Sequence, residues 1–155
     1  MINLYISFSI HLPFNYLTKR RISSNTYSNF FTLINNVSFN TINNASPTTV
    51  DNAYSDFTAM STTVTLGETY NLEVRVETDG AFTTTTRAWI DWNNDGDFSD
   101  SNELYELGNA FDVIDGATDA SPLAIEVPTN AVIAATRMRV ATRYGTTAST
   151  PCQTN

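Results

Sequence analysis

Apolar and polar residues alternate along many short stretches of the chain, and this two-residue period predicts β-strands. The clearest stretch is residues 69–77, where Tyr70, Leu72, Val74 and Val76 share one face of the predicted strand. Turn residues separate further predicted strands at residues 36–42, 54–58, 61–66, 84–91, 103–107, 122–128 and 136–144. No window has the period of an amphipathic helix. The pattern therefore predicts an all-β fold, an antiparallel β-sandwich of the jelly-roll or immunoglobulin-like kind.

Residues 1–30 differ from the rest of the chain. Apolar and aromatic residues up to Leu17 precede a basic cluster at residues 19–21, whereas a secretory signal carries its positive charge first. Pro13 also interrupts a run that is too short and too polar for a membrane span. We therefore expect a poorly defined leader that is not part of the domain, a domain over residues 31–155, and no membrane insertion. A signal or anchor role for the leader is the less favoured alternative.

One acidic stretch, residues 91–103, lies between two predicted strands. Oxygen-bearing side chains recur there at alternate positions, and a backbone that wraps around a point turns every second side chain toward it. A glycine, Gly96, occupies the sixth position, where the loop turns sharply and we expect a Cβ to clash. This spacing is typical of a calcium loop, because a hard divalent cation binds roughly six to eight oxygens. The predicted ligands are Asp91, Asn93, Asp95, Asp97 and Glu103.

The loop departs from a helix-flanked EF-hand. Counting from Asp91, the twelfth position is Asn102 rather than a bidentate glutamate, and Glu103 follows one residue later. The preceding residues are β-branched and aromatic, which favours a strand over a helix. We therefore predict a calcium loop that leaves a β-strand, with Glu103 or Asp100 as the late ligand. The alternative is a solvated turn, because Asp, Asn and Gly favour turns without any metal.

Charge and composition limit the possible functions. The formal net charge is -8, and nine of the 16 acidic residues lie between Asp91 and Asp119, which suits cations and speaks against a nucleic-acid partner. Charged residues make up 15% of the chain, and a threonine-rich, uncharged surface of this kind is common in secreted β-proteins. With one histidine, His11, and one cysteine, Cys152, the chain offers no recognisable catalytic or zinc constellation. We therefore expect no enzymatic activity.

The last predicted strand carries arginines on its polar face. Arg137 and Arg139 either pair with acids of the loop or form an exposed strand face that discourages edge pairing, and we favour the second interpretation. Near the loop, four aromatic residues could offer stacking surfaces to a sugar: Trp89, Trp92, Phe98 and Tyr105. Strand alternation places the two tryptophans on opposite faces, so that at least one of them is expected in the core.

Several of these motifs together resemble the GEVED domain. The resemblance covers roughly residues 31–155, and its most specific part is the order in which the motifs occur. They are Gly67-Glu68-Thr69-Tyr70, then Trp89-Ile90-Asp91-Trp92-Asn93-Asn94-Asp95-Gly96-Asp97-Phe98 with Glu103, then Thr136-Arg137-Met138-Arg139-Val140.

The resemblance implies a β-sandwich module of secreted or surface proteins of Bacteroidetes-type bacteria, often set beside peptidase or adhesion domains. It implies no catalytic residues, and it maps the family's acidic loop onto the five ligands predicted above. The Gly-Glu-Val-Glu-Asp signature that names the family is absent, and we expect it just beyond Cys152. The domain is therefore expected to be incomplete at its C-terminus, with the disulfide partner of Cys152 outside this sequence.

These observations lead to one functional prediction and two alternatives. We predict a non-catalytic, calcium-binding β-sandwich module of an exported or cell-surface bacterial protein, which acts in adhesion or interaction with an extracellular protein or glycan. The first alternative is an accessory domain of a secreted hydrolase such as a peptidase, which the neighbouring domains of the parent chain would reveal. The second is a carbohydrate-binding module.

Overall fold

A computed structural model of the chain describes residues 3–11, 20–22, 26–28, 32–45, 54–145 and 150–151. These residues form strands and turns, and among them there is no helix with the length and apolar character needed to cross a bilayer. The strands are β1 (Asn3–His11), β2 (Arg20–Ile22), β3 (Thr26–Ser28), β4 (Leu33–Phe39), β5 (Ile42–Asn44), β6 (Tyr54–Thr65), β7 (Thr69–Glu77), β8 (Thr83–Ile90), β9 (Leu104–Phe111), β10 (Gly116–Ala117), β11 (Leu123–Glu126) and β12 (Ala135–Tyr144).

Two sheets form the two layers of a sandwich. One sheet has the order β6-β1-β12-β8-β9, and the other has the order β10-β7-β4-β5 with β11 also paired to β7. A third, two-stranded sheet consists of β2 and β3. Within the described part of the chain, every ladder is antiparallel except that between β1 and β12. The prediction of an all-β, antiparallel sandwich is confirmed.

The inner faces of the two sheets meet in one apolar core. Leu72, Val74 and Val76 of β7 are fully buried in it, as the alternation predicts, and Met138 and Val140 of β12 meet them from the other sheet. Fully burying a side chain of this size contributes about 1.5–3 kcal/mol. The alternating stretches therefore supply the main driving force for the fold.

The predicted strand at residues 36–42 is instead a hairpin. The chain reverses at Asn40, whose φ of 52° lies in the left-handed region that asparagine tolerates better than most residues. Ile42 consequently lies on the returning strand β5, opposite Phe39. Val37, Phe39 and Ile42 all reach the core, so the apolar pattern identified buried residues but not the reversal between them.

The threonines are less exposed than the composition suggested. Thr84, Thr86, Thr136 and Thr142 are buried in the sheet that contains β8 and β12. The Thr86 hydroxyl donates to the Thr142 hydroxyl at 3.0 Å, which satisfies one of these polar groups within the sheet. Threonine is close to valine in shape, and a hydrogen-bonded hydroxyl costs little when it is buried.

The first strand occupies a central place in the larger sheet. β1 lies between β6 and β12, and Ile6 is fully buried in the core. This differs from the expectation that residues 1–30 are a leader apart from the domain. That expectation relied on the absence of a signal-peptide or membrane pattern, whereas strand pairing depends on neighbours that are distant in sequence.

Gly108 lies at an irregularity of the β8–β9 ladder, and its replacement tests a close backbone approach. Its φ is +78°, and a Cβ placed on it would come within 3.1 Å of the Asp119 Cβ. Gly145 has a similar φ of +85°, and no atom of the described residues lies within 4 Å of the position that its Cβ would take. We expect Gly145→Ala to destabilise by about 1–2 kcal/mol through backbone strain alone, and Gly108→Ala by more. Urea denaturation measures both changes, and equal losses would contradict the steric contribution at Gly108.

Candidate metal centre

The acidic loop connects β8 to β9 at one end of the larger sheet, where backbone hydrogen bonds fasten both of its ends. The Ile90 amide donates to the Glu103 carbonyl at 3.0 Å, and the Asp91 amide donates to the Arg137 carbonyl at 3.1 Å. The Thr136 hydroxyl donates to the Asp91 carbonyl. The loop is therefore attached to three neighbouring strands, β8, β9 and β12, which define the positions of its first and last side chains.

Within the loop, backbone amides donate to side-chain oxygens two residues earlier. The Asp95 amide donates to Asn93 Oδ1, and the Asp97 amide donates to Asp95 Oδ1, each at 3.1 Å. The Ser99 amide donates to Asp97 Oδ1 at 2.8 Å. These Asx turns curl the backbone over residues 93–99.

Gly96 is required for its backbone conformation rather than for space. Its φ is +92°, and no atom of the residues that the structure describes lies within 4 Å of the position that a Cβ would take. The expected Cβ clash at this position was therefore wrong, while the sharp turn was right. The Gly96 amide donates to Asp91 Oδ2 at 3.1 Å, which ties the middle of the loop to its first residue.

The five predicted ligands lie at two depths. Asp91 and Glu103 are buried, with exposed fractions of 4% and 1%. Asn93, Asp95 and Asp97 are exposed.

Asp95 and Asp97 lie together with Asp100, and each of the three offers a carboxylate oxygen within 4.8 Å of the others. The sequence named Asp100 only as an alternative to Glu103. Its position three residues after Asp97 was the sequence feature that could have identified it as a member of the cluster. The structure brings Asp100 to the exposed cluster, while Glu103 lies buried at the end of the same loop.

Each buried carboxylate has one satisfied and one unsatisfied oxygen. Glu103 Oε1 accepts from the Trp92 amide at 2.9 Å, and Asp91 Oδ2 accepts from Gly96. Asp91 Oδ1 and Glu103 Oε2 have no hydrogen-bond partner within the part of the chain that the structure describes. A buried polar atom without a partner costs about 1–3 kcal/mol, and more when it is charged. A bound cation would remove this cost, so the residues fit a metal.

The electrostatics of the loop also favour a cation. Burial raises the pKa of Glu103, the backbone amides of Trp92 and Asn93 oppose this shift, and the charges of Asp91 and Asp100 add to it. Hydrogen bonds from Ser99 lower the pKa of the exposed Asp97. The Asn93 amide nitrogen donates to Asp95 Oδ2 at 2.9 Å and to Asp100 Oδ2 at 2.7 Å, which partly offsets the repulsion between these two carboxylates.

Both tryptophans beside the loop are buried, each with an exposed fraction of 2%. Trp92 belongs to the core, and its Nε1 donates to the Tyr105 hydroxyl at 2.7 Å. The prediction that at least one tryptophan is in the core is confirmed. Neither tryptophan ring offers a stacking surface for a sugar, whereas Phe98 and Tyr105 are partly buried.

The arginines of β12 border the loop without an ion pair to its carboxylates among the salt bridges of the described residues. The Arg139 guanidinium lies 5.3 Å from the centre of the Phe98 ring, and its Nη1 donates to the Pro151 carbonyl at 2.6 Å. A groove of about 340 Å³ separates the loop from Arg137 and Arg139. Arg137 is exposed, which agrees with the favoured interpretation, while Arg139 is partly buried.

Comparison with known protein families gives a match over the part of the chain that contains the acidic loop. The family model of the GEVED domain matches residues 85–155, which include most of β8, the acidic loop and β12. Residues 31–84, which the resemblance also covered, lie outside this match. No curated protein and no solved structure gives a significant match. The part of the chain that carries the acidic loop, residues 85–155, is therefore similar to the GEVED domain.

Proposed function

We propose that the chain is a non-catalytic, calcium-binding β-sandwich module of an exported or cell-surface bacterial protein, with a role in adhesion or interaction. One observation carries the calcium proposal: two buried carboxylate oxygens, Asp91 Oδ1 and Glu103 Oε2, lack partners within the described chain, and they belong to the loop that gathers three exposed carboxylates. Buried carboxylates are rarely retained without a partner. Calcium accepts mixed oxygen ligands in a flexible geometry, which suits carboxylates from one short loop.

The proposed ligands are the five predicted residues together with Asp100. Asp91 and Glu103 would hold the ion from the buried side, and Asp95, Asp97 and Asp100 from the exposed side. Asn93 would contribute its side-chain oxygen. The ion would supply the positive charge that this group of carboxylates lacks.

Calcium would have a structural role in this proposal. Asp91 directly follows β8 and Glu103 directly precedes β9, while the Asp91 backbone is bonded to β12. An ion shared by Asp91 and Glu103 would therefore join three strands of one sheet. Extracellular modules bind calcium with a Kd of about 10⁻⁴–10⁻³ M, a range in which a structural site can remain filled outside the cell.

Calorimetric titration of the full chain with calcium tests the proposal. We expect saturable binding of calcium, with weaker binding of magnesium, because magnesium is smaller and requires near-ideal octahedral geometry. Asp95→Asn should abolish the signal, while Asp112→Asn, an exposed carboxylate at the other end of β9, should leave it unchanged. A folded wild-type chain that binds no calcium in the millimolar range would contradict the proposal.

A further inference from the structure

Strand β1 runs parallel to one of its neighbours in the larger sheet and antiparallel to the other. β1 is antiparallel to β6, with pairing from Asn3↔Thr65 to His11↔Tyr54. It is parallel to β12, with pairing from Tyr5↔Ala135 to His11↔Ala141. This is the one parallel ladder among the described strands. β6 and β12 are therefore antiparallel to each other and are separated by a gap one strand wide, which β1 fills.

This gap has to be filled for the sheet to be complete. β1 is the only strand of the described chain that pairs with β6, so that β6 would have no ladder partner without it. Ile6 of β1 is fully buried in the same core cluster as Val64 of β6 and Met138 of β12. An empty gap would expose this apolar surface and two rows of backbone donors and acceptors, which is unfavourable and prone to pairing with other chains.

The connection from β1 to the rest of the sandwich is long. Residues 12–32 lead from β1, in one sheet, to β4, in the other. No turn joins β1 to either of its ladder partners, since β6 begins at Tyr54 and β12 begins at Ala135. A tight hairpin turn, which would hold a strand to its own neighbour, is therefore absent on both sides of β1. The pairing of β1 with β6 and β12 consists of contacts that β1 of a second copy can make equally well.

We propose that the gap between β6 and β12 is a strand acceptor, and that two copies of this chain exchange β1 so that each β1 completes the sheet of the other copy. Every backbone pair of β1 is preserved in the exchange, because the incoming strand is identical to the one it replaces. Exchange of an identical element in this way is a low-cost route to a dimer. The balance between one chain and two then depends on protein concentration. The proposal is independent of calcium binding.

Disulfide trapping in the full chain tests this exchange. Ser7 and Ser61 are opposite each other in the β1–β6 ladder, and directly opposed strand residues lie within the Cα distance that a disulfide requires. Both changes are made in a Cys152→Ser background. A single chain with Ser7→Cys and Ser61→Cys checks the register and should form an intrachain disulfide. An equimolar mixture of the two single variants, warmed below the melting temperature, cooled and oxidised, reports exchange.

We expect the mixture to form a disulfide-linked heterodimer whose yield rises with protein concentration. The control mixture combines Ser7→Cys with Thr69→Cys, an exposed position on β7 in the other sheet. It should form several-fold less heterodimer. Two results would overturn the proposal. One is an intrachain disulfide in the double variant together with a heterodimer yield equal to that of the control at every concentration. The other is a double variant that forms no intrachain disulfide, because β1 would then not occupy the gap.

Discussion

Calcium is expected to raise the melting temperature of this chain by about 5–10 °C. A ligand that binds only the folded state stabilises it by about 2.7 kcal/mol at 100 times its Kd. For a domain of this size, each kcal/mol shifts the melting temperature by about 2–4 °C. Differential scanning calorimetry in EDTA and in excess calcium measures the shift directly. Tryptophan fluorescence offers a second readout, because Trp92 follows Asp91 and its amide is bonded to Glu103.

The two matched variants for this experiment, Asp95→Asn and Asp112→Asn, each remove one exposed carboxylate, the first inside the acidic loop and the second outside it. Asp95→Asn removes a charge from the exposed cluster, and we expect it to melt in EDTA within about 2 °C of the wild type, because exposed substitutions change stability little. Its calcium-induced shift should be lost. Asp112→Asn should keep the full shift. A similar calcium effect in the wild type and in Asp95→Asn would mean that calcium stabilises the chain from another site.

The effect of Glu103→Gln on the stability of the chain should change sign when calcium is added. Without calcium, Glu103 Oε2 is a buried carboxylate oxygen with no partner in the described chain, close to the charges of Asp91 and Asp100. A neutral amide of the same shape removes this charge and can donate to those carboxylates. We therefore expect Glu103→Gln to be more stable than the wild type in EDTA by about 1–2 kcal/mol. With excess calcium it should be less stable, because the ion loses a ligand.

The decisive result is a reversal: Glu103→Gln should be more stable than the wild type in EDTA and less stable than the wild type in excess calcium. Urea denaturation of both proteins, in EDTA and in excess calcium, gives the four free energies of unfolding. Glu126→Gln serves as the control, since Glu126 is an exposed residue of β11 outside the loop, and it should be close to neutral in both conditions. If Glu103→Gln destabilises the chain equally with and without calcium, Glu103 contributes to packing and hydrogen bonding but not to metal binding.

Both predictions depend on the position of the loop between strands. The Asp91 amide is bonded to β12, and the Ile90 amide is bonded to the Glu103 carbonyl, so movement of the loop would disturb three strands together. A structural ion at this place would therefore affect the cooperative unfolding of the sheet rather than only the local order of a turn. This is why we expect global thermal unfolding to report the ion.

Several features of this protein were determined by local sequence alone. The alternation at residues 69–77 predicted β7 with its correct bounds, because one buried face is enough to specify the register of a strand. The spacing of Asp91, Asn93, Asp95 and Asp97 predicted a curled loop, because Asx turns form between residues two positions apart. Such signals depend on neighbours along the chain, and they also carried the resemblance to the GEVED family.

Only the tertiary structure decided how deeply the key side chains lie. Asp91 and Glu103 look no different in sequence from Asp97, yet the folded chain buries both of them and leaves Asp97 exposed. The sequence likewise showed a continuous strand where Asn40 turns the chain back into β5, and it showed a separate leader where β1 completes a sheet. Burial and strand pairing arise from contacts between residues far apart in the chain, and an apolar alternation identifies a buried face without identifying the partner that covers it.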